Sequence, residues 1–384
     1  MNAQTIIEME WPYLLSFLPT DIDLETRARE TGAFLRSREI KNATDLLRMV
    51  FVYGLCDLSL RNTAAWAEMA EVASISDVAL MKRFAKCDVW LGELLGHKLA
   101  ERACGSPPRD TGYRIRIVDA TTISQPGSVG TDWRVHLGYD LQRMMIDHIE
   151  LTDVRGGETF TRFEVREGDL IIGDRGYAHR RGLASVIDGG ADFLVRSNWQ
   201  NLPLQTLEGE PFSPLEFLRT LPDATAGEIQ LQTAPVAKEG LAAIPCRLIA
   251  IRKSEAAAER SRLDTLKARS KKGRTIDPRT LEAAGYTMLV TSLPADRLSA
   301  EAALELYRFR WQIEIAFKRL KGLLNLDELP AKGPRLTRTY LYSKLLAALL
   351  LDDYTERFLG FSPWGYPVQN TAAIAVANST GLDL

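Results

Sequence analysis

Asp119, Asp174 and Glu314, separated by 55 and 140 residues, are the side chains of this sequence best suited to chemistry. Asp119 closes the run Arg114-Ile-Arg-Ile-Val-Asp119, and Asp174 follows Leu170-Ile-Ile-Gly173. Both runs read as buried strands that end in an acid. An unpaired carboxylate in that position is costly and tends to take up a proton, and a bound divalent cation removes the cost. Glu314 lies in Tyr307-Arg-Phe-Arg310-Trp-Gln-Ile-Glu314-Ile-Ala-Phe-Lys-Arg-Leu-Lys321, where Tyr307, Arg310, Glu314 and Lys321 fall at offsets of 0, 3, 7 and 14. At helical pitch these four share one face, with an acid for a metal and three donors for phosphate oxygens. Three hard oxygen ligands suit Mg²⁺, which keeps water and substrate phosphate in its other positions. Singly, each Asp is also readable as a strand-end or turn residue. The helix is also readable as a surface laced with charge pairs worth about 0.2 to 0.5 kcal/mol each. Three acids beside one cationic face make coincidence the weaker account.

The elements that must position these residues are legible at coarse scale. Leu306, Phe309, Ile313, Leu320 and Leu324 form an apolar stripe that would hold the Glu314 helix to a core. Residues 133–139 and 144–152 read as two further strands, making an antiparallel meander with the Asp119 strand. A helix over 179–187 and a strand over 192–196 follow Asp174, and this alternation supports a mixed α/β core. After Asn198 the pattern turns to short strands over 228–232 and 246–252 among Pro and Gly, the candidate insertion. Residues 286–293 would return the chain to the core. The first hundred residues read as helices, with Asn42-Ala-Thr44, Ser59 and Ser76 as start signals. The last two helices are compatible with a helix-turn-helix in which Lys82 and Arg83 contact DNA, and also with an ordinary compact helical domain. Gly105-Ser-Pro-Pro108 breaks the helical run. The expected division is a helical N-terminal DNA-binding domain (1–108), a core in two parts (109–199 and 286–330), a β-rich insertion (200–285) and a C-terminal helical segment (331–384).

Asp119, the turn Gly173-Asp174-Arg175-Gly176-Tyr177 and the Tyr-x2-Arg-x3-Glu-x6-Lys helix resemble the DDE transposases of bacterial insertion sequences, in the large group defined by that helix signature. The resemblance extends from about residue 40 to about residue 345, and only the segments around 119, 174 and 307 to 321 are specific. It implies an α/β fold: a ribonuclease H-like catalytic core interrupted before its last helix by a mostly β insertion domain. It implies that Asp119, Asp174 and Glu314 hold two Mg²⁺ ions about 3.5 to 4 Å apart, with Mn²⁺ also compatible. One ion would activate the attacking water or 3′-hydroxyl and the other would stabilise the leaving 3′-oxygen. It also implies that Tyr307, Arg310 and Lys321 contact phosphates at the transposon end, and Arg175 joins them as a DNA-binding residue. Some relatives stack a flipped base on an aromatic, a role open to Trp199, Tyr286 and Trp311 beside their reading as core aromatics. The implied partner is double-stranded DNA, as terminal inverted repeats and as target. A homodimer is expected in the end-paired complex, with the apolar 341–351 segment either its contact or part of the core.

Composition is permissive. A chain of 384 residues with 46% hydrophobic and 26% charged residues fits a globular protein of two or three domains. No apolar run approaches the about 18 residues of a membrane span, and the N-terminus lacks signal-peptide features, so a cytoplasmic location is expected. Cys56, Cys87, Cys104 and Cys246 and the four histidines have no metal-ligand spacing, which argues against a zinc hydrolase. Net charge is −2, but residues 252–279 carry ten Lys or Arg against four acids, and residues 307–344 carry nine against three. Phosphate-binding charge is therefore concentrated in the second half, although the first of these runs is also readable as a solvated helix with a basic loop. Two other readings stay open: a ribonuclease H-like endonuclease that cuts without joining, and a catalytically inactive transposase-derived DNA-binding protein.

Overall fold

The computed structural model describes residues 11–103, 112–270, 275–330 and 333–359. Cys104 and the basic residues Lys271, Lys272 and Arg274 lie outside the described residues.

Among the described residues six helices come first: α1 (Trp11–Leu15), α2 (Leu24–Glu30), α3 (Ala43–Leu55), α4 (Leu60–Met69), α5 (Asp77–Phe84) and α6 (Asp88–Ala103). Their starts follow from local chemistry. Asn42, Ser59 and Ser76 each accept the backbone N–H three residues on, from Asp45, Asn62 and Ala79. These bonds satisfy donors that the first helical turn leaves open.

Nine strands then build one sheet: β1 (Arg114–Ile123), β2 (Trp133–Asp140), β3 (Met145–Asp153), β4 (Asp169–Gly173), β5 (Asp192–Arg196), β6 (Leu204–Gln205), β7 (Gly227–Thr233), β8 (Pro245–Arg252) and β9 (Tyr286–Thr291). Their order is β3-β2-β1-β4-β5-β9-β8-β7-β6. The β1-β2-β3 meander is antiparallel, whereas β1, β4 and β5 run parallel. The strands of 200–285 add edgewise: β8 pairs antiparallel with β9, and β9 with β5, so they lengthen the core sheet. Five helices complete the strand-bearing half up to the Glu314 region: α7 (Arg180–Asp188), α8 (Pro214–Thr220), α9 (Glu255–Ser270), α10 (Pro278–Ala283) and α11 (Ala300–Arg308). Then come α12 (Trp311–Leu324) and α13 (Pro334–Leu359).

Side-chain alternation sends successive strand residues to opposite faces. Ile115, Ile117, Leu170 and Ile172 pack into the cluster that contains the N-terminal helices, α12 and α13. Val118 and Ile171 pack into the opposite one, with α7 and α8. The 341–351 segment lies in the first cluster, where Leu341, Leu345, Leu346, Leu349 and Leu350 are wholly buried. Of its two readings, contact with a second copy or packing within the chain, the structure has the second. The C-terminal end of α12 is held by Asp57, whose carboxylate accepts from Asn325 Nδ2 (2.7 Å), Tyr340 Oη (2.6 Å) and Lys344 Nζ (2.7 Å).

Candidate active site

Pairing between β1 and β4 stops at Ile117 opposite Ile172, so Asp119 lies two residues beyond the shared ladder and Asp174 directly follows the last residue of β4. Asp174 stands at the carboxyl end of β4, whereas Asp119 does not close its strand as expected: β1 continues to Ile123 because residues 120–123 stay paired with β2, and the acid lies where β1 outruns its parallel neighbour, the side where open α/β sheets leave a crevice. Asp119 has the parity of Ile117 and therefore faces the side covered by α12. Its Oδ1 accepts the Ala120 N–H at 2.8 Å, and its Oδ2 meets Arg310 Nη1 at 3.1 Å. Arg310 Nη2 also binds the Glu314 carboxylate. One guanidinium thus joins two of the three acids. Asp174 Oδ1 accepts the Gly176 N–H at 2.7 Å. Among the described residues, no group of three or more His, Cys, Asp or Glu side chains is arranged to hold a metal ion.

The signature helix is not continuous. α11 ends at Arg308 and α12 begins at Trp311, and between them the N–H groups of Phe309, Arg310, Gln312 and Ile313 bond three residues back. Tyr307 therefore sits on the last turn of α11, Arg310 at the junction, Glu314 in the first turn of α12 and Lys321 in its last. Phe309, expected in the apolar stripe, is 43% exposed because the break turns it outward, while Ile313 and Leu320 are buried. Lys321 Nζ reaches the Thr122 carbonyl at 3.4 Å, near the end of β1.

Residues 110–350 match the family model described as a transposase DDE domain. The chain belongs to the DDE transposase family. It is 41% identical over 356 residues to the transposase of insertion sequence element IS421 from Escherichia coli, covering 92% of this chain and 96% of that protein. Identity and coverage are the same for InsL of element IS186A from Escherichia coli (strain K12), over 355 residues. The transposase of IS231F from Bacillus thuringiensis subsp. israelensis is 27% identical over 62% of this chain and 56% of that protein. Among solved structures, a piggyBac transposase synaptic complex with hairpin DNA aligns over the whole chain and 86% of that chain, at 8% identity and a TM-score of 0.41. The protein is thus an enzyme of DNA transposition, in a family that depends on divalent metal for phosphodiester cleavage and transesterification.

Electrostatics around these three acids follow from burial. Desolvation pushes Asp119 up to about 6, with Asp174 and Glu158 adding to the shift and the Ala120 N–H and Arg310 opposing it. Tyr307 is pushed up to about 12 by burial, and its hydroxyl has no hydrogen-bond partner among the described residues. Two charged groups near the acids escaped the sequence reading. Arg196, at the end of β5, is lowered first by burial and then by Arg175 and Arg310, while Tyr307 and Asp174 oppose the shift. Its signal was present, since the apolar run Phe193-Leu-Val195 is closed by a charged residue just as the runs before Asp119 and Asp174 are. Glu158 stands in the loop after β3, where no period marks it. Beyond Arg196, Lys253 is pulled down to about 8 by burial and by Arg196 and Arg175. Arg175, Arg196, Arg310 and Lys253 thus make a run of cations from the acids toward the end of β8.

Other expected contacts are scattered. The Lys82 side chain is exposed on α5, while Arg83 is partly buried and its Nη1 donates to the Ala33 carbonyl at 3.4 Å. Trp199 and Tyr286 each carry an arginine over the ring, Arg279 at 4.6 Å and Arg252 at 5.3 Å. Trp311 is 45% exposed beside Arg310. Cys87 and Cys246 are buried and Cys56 is half-buried. No helix among the described residues is long and apolar enough to cross a membrane.

Proposed function

We propose that Asp119, Asp174 and Glu314 are the catalytic acids of a transposase that cuts double-stranded DNA at the terminal repeats of its element and transfers the strand to target DNA. The observation that carries this reading is Arg310, which joins Asp119 to the α12 acid Glu314, while Asp174 directly follows β4, the parallel neighbour of the Asp119 strand. The strand order β3-β2-β1-β4-β5 supports assigning those strands to a ribonuclease H-like core, with 200–285 as its insertion and 1–108 as a DNA-binding domain.

The donor set fits a hard divalent cation in chemistry: carboxylates only, one of them held above the usual carboxylate range by burial and like charge. Asp119, Asp174 and Glu314 would hold it, as Mg²⁺ or Mn²⁺. When bound, such ions polarise the scissile phosphate and supply an attacking oxygen at neutral pH. The chain's own residues do the positioning. Arg310 offers a planar fork that matches a phosphodiester as well as a carboxylate, so backbone phosphate would compete with Asp119 and Glu314 for it. Arrival of DNA would then free the two acids. Tyr307, with its unsatisfied hydroxyl, and Arg196, Arg175 and Lys321 would take neighbouring phosphates and fix the scissile bond between the acids. Lys82 and Arg83 are the candidate contacts of the N-terminal domain. Two ends held together call for two protomers, and a homodimer with DNA is the assembly we assign.

Glu314→Gln keeps the size of the side chain and removes its charge. It should retain binding to terminal-repeat DNA and lose cleavage; a variant that still cleaves at the native rate contradicts the assignment.

A further inference from the structure

Lys98, Arg102, Arg116 and Lys344 are buried cations, and each pairs with a carboxylate. Three cations beyond Asp174 break this rule. Among the described residues, exposed Arg175 and half-buried Arg196 and Lys253 pair with no acid. We propose that Lys253 binds a backbone phosphate of the DNA strand that Arg175 and Arg196 hold, so that the strand leaves the acids across the ends of β5 and β8; this rests on the reading of Asp119, Asp174 and Glu314 as catalytic acids.

Strand register brings the three cations to one end of the sheet. β4 and β5 pair in parallel up to Gly173 opposite Val195, so the next residues, Asp174 and Arg196, stand side by side. β5 runs antiparallel to β9 and β9 to β8, which carries Arg252, the last residue of β8, to that same end opposite Tyr286. Lys253 follows, its backbone N–H donating to the Gly285 carbonyl at 2.9 Å. Lys253 Nζ donates to Ser261 Oγ at 2.8 Å and to the Ala284 carbonyl at 2.9 Å. Both acceptors are neutral, so the ammonium is fixed in place with its charge uncompensated and a third N–H left for a ligand. Arg252 beside it differs, since it pairs with Asp223 at 3.1 Å. On the other side Asn201 Nδ2 donates to the Arg175 carbonyl at 3.2 Å, which ties the loop after β5 to the Asp174 turn. Burial, then Arg196 and Arg175, pull Lys253 down to about 8, so the three like charges stand in one another's field. Cations gathered without acids repel one another, and a polyanion offsets that cost. In the order β4-β5-β9-β8, β8 lies three strand spacings from β4, about 14 Å, or about four nucleotide rises of about 3.4 Å. Lys253 therefore takes a phosphate at least about four nucleotides from the scissile one.

The test is binding of the full chain to duplex DNA carrying the element's terminal repeat, titrated against salt. Lys253→Gln should weaken binding and lower the slope of log K against log salt by about one, whereas Lys253→Arg should keep the native slope. Lys238→Gln removes an exposed charge that precedes β8, beyond the opposite end of that strand, and should leave affinity and slope unchanged. A second measurement needs no variant of the native chain. Uncharged methylphosphonates, placed singly along each strand, should weaken native binding at a position about four or more nucleotides from the scissile phosphate. At that position they should cost Lys253→Gln nothing further. A native slope for Lys253→Gln, or an equal methylphosphonate penalty in both proteins at every position, overturns the inference and leaves the three acids standing. Cleavage by Glu314→Gln would instead overturn the reading on which the inference rests, with the Lys253 binding data untouched.

Discussion

Arg310 is the residue on which the site turns, because it makes opposite demands on its two kinds of partner. It pairs with Asp119 and Glu314, and on DNA it would neutralise phosphate. Arg310→Ala should therefore weaken binding to terminal-repeat DNA and reduce the slope of log K against log salt by about one, the loss of one phosphate contact. An unchanged slope in a salt titration would remove Arg310 from the phosphate contacts. At this scale much of the candidate site was legible. Asp119 and Asp174 stand out because an acid that closes a run of Ile, Val and Leu is rare enough to need a reason, and Glu314 because Tyr307, Arg310 and Lys321 recur with it at helical spacing. Glu158 was not legible, since its place depends on Gly176 and His179, which approach it only in the folded chain.

At the scale of elements, α12 must be held where Glu314 can reach β1. Its C-terminal end is tied by Asn325, in left-handed conformation at φ 47°, to Asp57, and Asp57 is paired with the wholly buried Lys344 of α13. Asp57→Asn leaves that ammonium without a counter-charge and should cost about 3 kcal/mol. Chemical denaturation should show a lower midpoint with an unchanged slope; an unchanged midpoint would mean that the clamp does not support the helix. Adding Lys344→Met to Asp57→Asn should recover part of the loss. The helix starts at Asn42, Ser59 and Ser76 and the strands from β1 to β5 were readable because caps and apolar runs are local signals. The break between α11 and α12 was not. No Gly or Pro marks residues 308–311, so it arises from tertiary contacts, among them the reach of Arg310 to Asp119.

The whole molecule is unified by one sheet and by α13, which runs through the larger core and meets α6 through Arg102. That junction makes stability depend on pH. Asp352 on α13 is raised to about 7 by burial, with Arg102 opposing the shift. A carboxyl whose folded pKa lies above its unfolded value binds more protons when folded, so stability falls as pH rises from about 4 to about 7. Asp352→Asn should make the protein more stable than the native chain above pH 7, with the difference vanishing below about pH 4. Thermal midpoints across that range would show it, and a constant difference would show that Asp352 does not titrate in this window. The joining of β6 to β8 onto the core sheet was beyond a reading of strand periods, since edge pairing of β8 with β9 joins residues about 40 apart in sequence.

The measurement that bears most directly on the central claim is Mg²⁺-dependent cleavage and strand transfer on DNA carrying the element's terminal repeat, with the native chain beside Asp119→Ala. Loss of both reactions in the variant with end binding retained is the predicted result. Native-like cleavage by Asp119→Ala, or end binding without chemistry by the native chain, would contradict the account.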